Sequence, residues 1–216
     1  MIKCKYNKEE AKHIFFTSDT HFYHTNILKF CKRPFKNVEE MNKALIENWN
    51  KVVGPDDTVF HLGDVAFCGN QKLEEIINQL NGHIILVRGN HDRRLQKTIC
   101  DKLFDEVVPQ LQLEVDGRSI YLNHYPFLTY GGCWRGNEKA VYQAFGHVHS
   151  TPNTSEGKDI GRMINLFPYQ YDVGVDNNNY TPISWEELKT KIEEQCKKKL
   201  NWKQKFLKWL ICRFQK

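Results

Sequence analysis

The stretch His83-Ile84-Ile85-Leu86-Val87-Arg88-Gly89-Asn90-His91-Asp92 decides the fold class. Its first half is a short apolar run, read as a buried strand. Its second half is a turn made with glycine, followed by an amide, an imidazole and a carboxylate in adjacent positions. Such a trio is poor material for a core, because each group needs a polar partner once it leaves water. It is good material for a metal site with a proton donor beside it. In open α/β sheets, ligands gather beyond the carboxyl ends of the strands, and this trio stands at such an end.

Working outward, other apolar runs end in the same way. Ile14 to Ser18 runs into Asp19-Thr20-His21, and Thr58 to Leu62 runs into Gly63-Asp64. Between them a short helix is expected near Thr25 to Cys31. Asn37 then reads as an N-cap with Glu40 three residues on, followed by Met41, Leu45, Trp49 and Val52 at helical spacing. After the turn Gly54-Pro55-Asp56-Asp57 and the second strand, Leu73, Ile76, Ile77 and Leu80 mark another helix, closed by Asn81-Gly82. This β-α-β-α-β order predicts a parallel sheet with right-handed crossovers.

The second half changes character. Leu111–Val115 and Ser119–Leu122 alternate around Asp116-Gly117, a hairpin signal, and the second arm ends in Asn123-His124. Residues 125–139 read as a loop. Ala140–Phe145 is a strand that ends in Gly146-His147-Val148-His149. Met163–Phe167 and Tyr171–Val175 are two further strand candidates. Residues 1–12 read as a polar lead-in. Ser184-Trp185-Glu186-Glu187 is a second capping box, opening a helix towards Lys199. Trp202, Phe206, Trp209 and Leu210 then lie on one face of a basic amphipathic helix.

The chain has 216 residues and no long polar linker. One main domain over 1–183 is expected, followed by a basic helical extension over 184–216. No run of about 18 apolar residues exists to span a membrane. The charged opening residues do not resemble a secretory signal. Seven cysteines, none spaced as Cys-x-x-Cys, fit reduced, packed thiols. A cytoplasmic protein is therefore expected. The net charge of +5 hides an asymmetry: from Lys189 onward ten Lys/Arg stand against two Glu, so the preceding body is slightly acidic. The tail invites self-association or contact with a membrane surface, with nucleic acid a less favoured partner.

Five expected strands thus end in ligand-type residues: Asp19 and His21, then Asp64, then Asn90 with His91, then His124, then His147 and His149. With His91 set aside as the proton donor, two carboxylates, one amide and four imidazoles suit two divalent cations about 4 Å apart. No thiolate is among them. Oxygen and nitrogen donors together fit manganese, iron, zinc, cobalt or nickel and do not choose among them; manganese is the first expectation.

In order and spacing, the series Asp19-x-His21, Gly63-Asp64, Gly89-Asn90-His91-Asp92, His124 and Gly146-His147-x-His149 resembles the calcineurin-like metallophosphoesterase superfamily, over about Ile14 to Asp176. The resemblance implies an α/β fold with a two-sheet β-sandwich flanked by helices. It implies that Asp19, His21, Asp64 and His149 hold one metal, and that Asp64, Asn90, His124 and His147 hold the second, with Asp64 shared. It further implies that His91 contacts the phosphate and protonates the leaving group, oriented by Asp92.

Within that superfamily, Gly63-Asp64-Val65-Ala66-Phe67 lacks the Gly-Asp-x-x-Asp-Arg-Gly of protein phosphatases. The resemblance is closer to small single-domain bacterial and phage phosphoesterases, which implies a phosphodiester or nucleotide substrate over a phosphoprotein. A nuclease on polymeric nucleic acid and a non-catalytic metal-binding scaffold are the alternatives. His24, Arg33, Trp134 and Arg135 are candidate substrate contacts. His61 is expected to be a satisfied core histidine, and Asp176 to stand behind the metal ligands.

Overall fold

The structure, a computed structural model, describes residues 3–135, 139–150 and 166–198. In chain order its strands are β1 (Lys3–Tyr6), β2 (Ile14–Thr17), β3 (Thr58–His61), β4 (His83–Val87) and β5 (Glu106–Val108). They continue with β6 (Leu111–Val115), β7 (Arg118–Leu122), β8 (Tyr142–Phe145), β9 (Gln170–Asp172) and β10 (Ile183–Ser184). The helices are α1 (Ile27–Phe30), α2 (Val38–Val52), α3 (Asn70–Ile77), α4 (Lys97–Leu103) and α5, which covers 185–198.

The strands form two five-stranded sheets, ordered β10-β2-β3-β4-β5 and β1-β6-β7-β8-β9. In the first, β2 to β5 are all parallel and β10 runs antiparallel along β2. The second is mixed: β6 and β7 make the expected antiparallel hairpin, and β7, β8 and β9 are parallel. At the hairpin tip Asp116 and Gly117 both have positive φ (48° and 73°), the two-residue turn whose twist matches the strands.

Alternation along the first sheet builds the layers. Ile14, Phe16, Phe60, Leu62 and Val87 point at the second sheet, where they meet Leu111, Leu113, Ile120, Leu122 and Ala144. Their neighbours Phe15, Val59, Ile84 and Leu86 point the other way, against Met41, Leu45 and Trp49 of α2 and Leu73 and Ile76 of α3. Both faces of β2, β3 and β4 are therefore covered, which is why these strands read as continuous apolar runs. Helix α2 starts where its cap predicts: the Asn37 side chain accepts from Glu40 N at 2.8 Å. Helix α5 starts with a reciprocal box between Ser184 and Glu187, and buries Trp185, Leu188 and Ile192 in the core between the sheets.

Two expectations are corrected. The polar lead-in contains a strand: β1 pairs in parallel with β6, and Asp116 N donates to Tyr6 O at 2.9 Å. Lys3 and Lys5 alternate with Cys4 and Tyr6, so a short edge strand with one solvated face hides in a charged sequence. The strand expected over Tyr171–Val175 runs over Gln170–Asp172 instead. The Asp172 carboxylate accepts from Gly174 N at 2.8 Å and turns the chain into a short 3₁₀ helix at Val175–Asn177. The basic helix expected at 202–214, and most of the strand expected at Met163–Phe167, lie outside the described residues. Among the described residues no helix is long and apolar enough to cross a membrane.

Candidate metal centre

Parallel strands in register end at one edge, and here their hydrogen bonding continues beyond that edge. Leu62 N donates to Thr17 O, Asp19 N to Gly63 O, His21 N to Asp64 O, Phe22 N to Val65 O and Phe67 N to Phe22 O, at 2.7–3.0 Å. The loops after β2 and β3 are thereby zipped together. Thr20 Oγ1 adds a bond to Val65 O at 2.8 Å and lies 2.9 Å from His61 Nε2. His61 is therefore the buried, hydrogen-bonded core histidine that its strand position suggests.

The second sheet is tied to the same edge. His124 Nδ1 lies 2.7 Å from Leu62 O, and because a carbonyl only accepts, Nδ1 carries the proton. His147 N donates to Asp19 Oδ2 at 2.9 Å, and Val175 N to Ser18 O at 3.0 Å.

Among the described residues, two of the three resulting clusters of ligand-type side chains contain the expected ligands, and the third joins Cys31, His149 and Asp176. The ligand atoms of Asp19, His21 and His149 lie within 4.8 Å of one another, as do those of Asp64, His124 and His147. Asp64 Oδ2 joins them, 3.6 Å from His21 Nε2, 3.5 Å from His124 Nε2 and 3.9 Å from His91 Nε2. Asn90 Oδ1 stands 2.9 Å from His124 Nε2. All seven expected ligands and His91 are thus brought together.

The donor set fits divalent cations on evidence internal to the site. Asp19 Oδ1 and His21 Nε2 are buried with no hydrogen-bond partner, an arrangement that is costly unless a cation takes the lone pairs. With its proton on Nδ1, His124 Nε2 aims a lone pair at the oxygens of Asn90 and Asp64, a repulsive arrangement that a cation held by these residues would relieve. Each carboxylate has one oxygen held by backbone, Asp19 Oδ2 by His147 N and Asp64 Oδ1 by His91 N at 2.9 Å, and the other turned to the centre.

Backbone conformation marks the same place. Asp19, His21, Asp64, His147 and His149 have φ of 58°, 51°, 58°, 70° and 46°. Left-handed conformation costs a non-glycine residue on the order of 1–2 kcal/mol, and its concentration at one edge is a signature of a functional site. Gly89 is required by close approach, since a Cβ there would overlap Asp64 Oδ1.

The electrostatics follow from burial. Desolvation first, then the neighbouring cationic groups, hold the His21 imidazolium well below its usual range, so the ring is neutral. Burial also pulls His149 down, but the Asp19 carboxylate and the hydrogen bond to Asp176 outweigh it and push it up to about 11. The field that would hold a proton there also favours a metal cation. Burial raises Asp64, against the pull of His124 and the His91 N–H bond.

Two expected roles, those of Arg33 and Asp92, are placed elsewhere. Arg33 is buried and does not reach out for phosphate. Its Nε and Nη2 donate to Asp176 Oδ1 and Oδ2, both at 2.8 Å, and its remaining N–H groups take Thr20 O, Asp19 O and Met41 Sδ. Asp92 does not orient the His91 ring: its carboxylate accepts from Asp64 N, Gly89 N and Val65 N at 2.8–3.0 Å. Trp134 (71% exposed) and Arg135 make no hydrogen bond, ion pair or ring contact with a cluster residue among the described residues. His24 does join the site, with Nδ1 3.2 Å from His21 Nδ1.

Asp176 stands behind the ligands as its place in the sequence suggests, but its pairing with Arg33 is not foreseen by sequence reading. Asp176 accepts from His149 Nδ1 at 2.8 Å while Arg33 grips both of its oxygens. Arg33 and Asp176 are 143 residues apart, so no local pattern could pair them. Tyr125 packs edge-on to His124 and His147 at 5.0 and 4.6 Å between centroids, and only the folded loop brings it there.

Comparison with known proteins agrees with this geometry. An uncharacterized protein of Methanocaldococcus jannaschii is 37% identical over 183 residues, covering 84% of this chain and 92% of that protein. The gene 66 protein of Mycobacterium phage D29 is 27% identical over 197 residues, covering 81% of this chain and 90% of that one. The crystal structure of a protein of unknown function from Aquifex aeolicus superposes with a TM-score of 0.63 at 31% identity, over 82% of this chain and 97% of that one. The calcineurin-like phosphoesterase superfamily domain matches residues 13–166, the span from the first strand of the parallel sheet to just before β9. With that span carrying two joined clusters of carboxylate and imidazole at the strand ends, the chain belongs to the calcineurin-like phosphoesterase superfamily.

Proposed function

We propose that this protein hydrolyses a phosphodiester or nucleotide phosphoester with two divalent cations, manganese foremost. The observation that carries the reading is Asp64 Oδ2, which faces three imidazole nitrogens at 3.5–3.9 Å while its partner oxygen is fixed to backbone. Asp19, His21, Asp64 and His149 would hold one cation, and Asp64, Asn90, His124 and His147 the other. Bound there, the cations would supply positive charge to the phosphoryl oxygens and acidify the attacking water.

The chain's own residues do the rest. His91 stands at the rim with its side chain 37% exposed, so it can meet both the buried centre and a bound ester. Its backbone N–H is anchored on Asp64 Oδ1, which ties its position to that of the shared carboxylate. As the imidazolium it can donate to a phosphoryl oxygen and then give its proton to the leaving alkoxide.

The experiment is hydrolysis of bis(p-nitrophenyl) phosphate with added manganese, together with metal content, for wild type, Asp64→Asn and His91→Ala. Wild type should turn over. His91→Ala should keep both metals and lose about 10²–10⁴-fold in kcat, and Asp64→Asn should lose metal as well as activity. A metal-loaded wild type that is inert on a broad phosphoester panel, or a His91→Ala indistinguishable from it, would overturn the reading.

A further inference from the structure

Beside His91 the surface carries rings that the core does not need. Phe67 is 40% exposed and Phe30 73% exposed. Phe67 stacks on His24 (centroids 4.5 Å, 20°) and stands edge-on to His91 (5.5 Å, 71°). Phe30 meets His24 edge-on at 6.3 Å, and the Arg94 guanidinium stands 5.3 Å from the Phe67 centroid. We propose that Phe67, His24 and Phe30, flanked by Arg94, form the subsite for the base of a nucleoside released past His91. The proposal rests on the phosphoesterase reading above and adds the class of leaving group.

The shelf is rigid where it matters. Phe67 N donates to Phe22 O at 2.8 Å, and Phe22 pairs with Ala66 in a parallel bridge. Phe67 is therefore the next rung of the ladder that carries His21 and Asp64, and it is not on a loose loop. Together Phe67 and Phe30 leave apolar ring surface open beside the site, and a contiguous apolar patch of this kind marks a place where a ligand binds. Its position bears on the occupant: the Phe67 and His91 ring centroids are 5.5 Å apart, so a group leaving phosphorus by way of His91 would have its next atoms near Phe67.

Charge selects among occupants. Arg93 and Arg94 are exposed within the turn His91–Arg94, beside the rings. A flat, polar, electron-rich ring attached to anionic phosphate satisfies both features, since bases stack on aromatic side chains and on guanidinium planes. A lipid chain would leave the guanidinium without a partner. Arg94, on its long stem, would close over the base and exchange its loose contact with Phe67 for a stacked one.

The test uses two diesters that share the phosphodiester linkage: thymidylyl-thymidine, and the same diester with both bases removed. On the manganese-loaded full chain, wild type should favour the base-bearing diester by about tenfold or more in kcat/KM, mostly through KM. Phe67→Leu should bring that ratio to within about twofold of one, and Phe67→Tyr should preserve it. Calorimetric binding of the same pair, with calcium replacing manganese, reads the preference without turnover. A wild-type ratio near one, or a ratio that survives Phe67→Leu, overturns the shelf. Hydrolysis of either diester would still keep the phosphoesterase reading. A wild type inert on both diesters but with a binding preference that Phe67→Leu abolishes supports the shelf and counts against the hydrolytic reading.

Discussion

Arg33 and Asp176, 143 residues apart in sequence, form a two-pronged buried ion pair at 2.8 Å on each prong. The same Asp176 carboxylate accepts the Nδ1 proton of His149 at 2.8 Å, which turns the His149 Nε2 lone pair towards Asp19. Arg33 also closes on the carbonyls of Asp19 and Thr20. One guanidinium thus braces two of the ligand-bearing loops.

Replacing Arg33 by Met leaves the Asp176 charge buried without its partner. Removing one member of such a pair costs about 3–5 kcal/mol, which lowers the melting temperature by roughly 10 °C in a chain of this size. Metal affinity should fall by about 10–100-fold, because the ligand behind Asp176 loses its fixed orientation. Arg33→Lys keeps the charge but not the fork and should fall between. Calorimetry with and without manganese measures both effects; an unchanged affinity in Arg33→Met would remove the bracing role.

Asp92 gives a sharper contrast. An orienting partner of His91 would, on conversion to Asn, alter the pH profile of kcat and leave metal content alone. The observed carboxylate instead collects three backbone N–H groups from the Asp64 and Gly89 turns. Asp92→Asn turns one of those bonds into a clash of donors, at about 1–3 kcal/mol per unsatisfied buried group. Metal content and melting temperature should both drop, as mass spectrometry under native conditions and thermal scanning would record.

Gly89→Ala tests the closeness of β4 to the shared carboxylate. The added methyl would overlap Asp64 Oδ1 and press on Asp64 N. Displacing Asp64 disturbs both clusters, so both cations should be lost together, with a destabilisation of about 1–3 kcal/mol. A variant that loses one cation and retains the other would show that Asp64 is not shared.

Cation binding should itself stabilise the fold. With free manganese at about 100 times Kd, the native state gains about 2.7 kcal/mol, a rise of roughly 5–10 °C in melting temperature. Chelation should reverse it, and Asp64→Asn should show neither change.

His61 adds a pH dependence of known sign. Burial lowers its pKa to about 4, although the Asp92 and Asp19 carboxylates pull upwards. In the unfolded chain the ordinary value is about 6.5, so between these values the unfolded state binds the extra proton. The contribution of His61 to stability is therefore complete above about pH 6.5 and is lost as pH falls towards about 4. His61→Gln should flatten that part of the curve of melting temperature against pH, relative to wild type.

The strand ends were legible because two short-range signals coincide there. Apolar runs such as Ile84–Val87 mark strands buried on both faces, and the polar residues directly after them have no place in a core. Asp19, His21, Asp64, Asn90, His91, His124, His147 and His149 could thus be picked from local pattern, and the resemblance then divided them into ligands and proton donor. β1 was not legible, because an edge strand of alternating Lys and Cys or Tyr carries too little apolar signal. His24 was read as a contact, but its stack on Phe67 joins two loops that meet only through the ladder beyond β2 and β3.

By itself, then, the sequence determined the α/β class, the parallel core and the identity of the residues gathered at its edge, since periodicity and chain punctuation are local properties. The tertiary structure decided what stands behind and beside them. It made Arg33 a buried brace, turned Asp92 to the backbone, and set Phe67 next to His91. These roles depend on where a side chain's charge or ring finds its partner, and those partners lie tens of residues away, or 143 for Arg33 and Asp176.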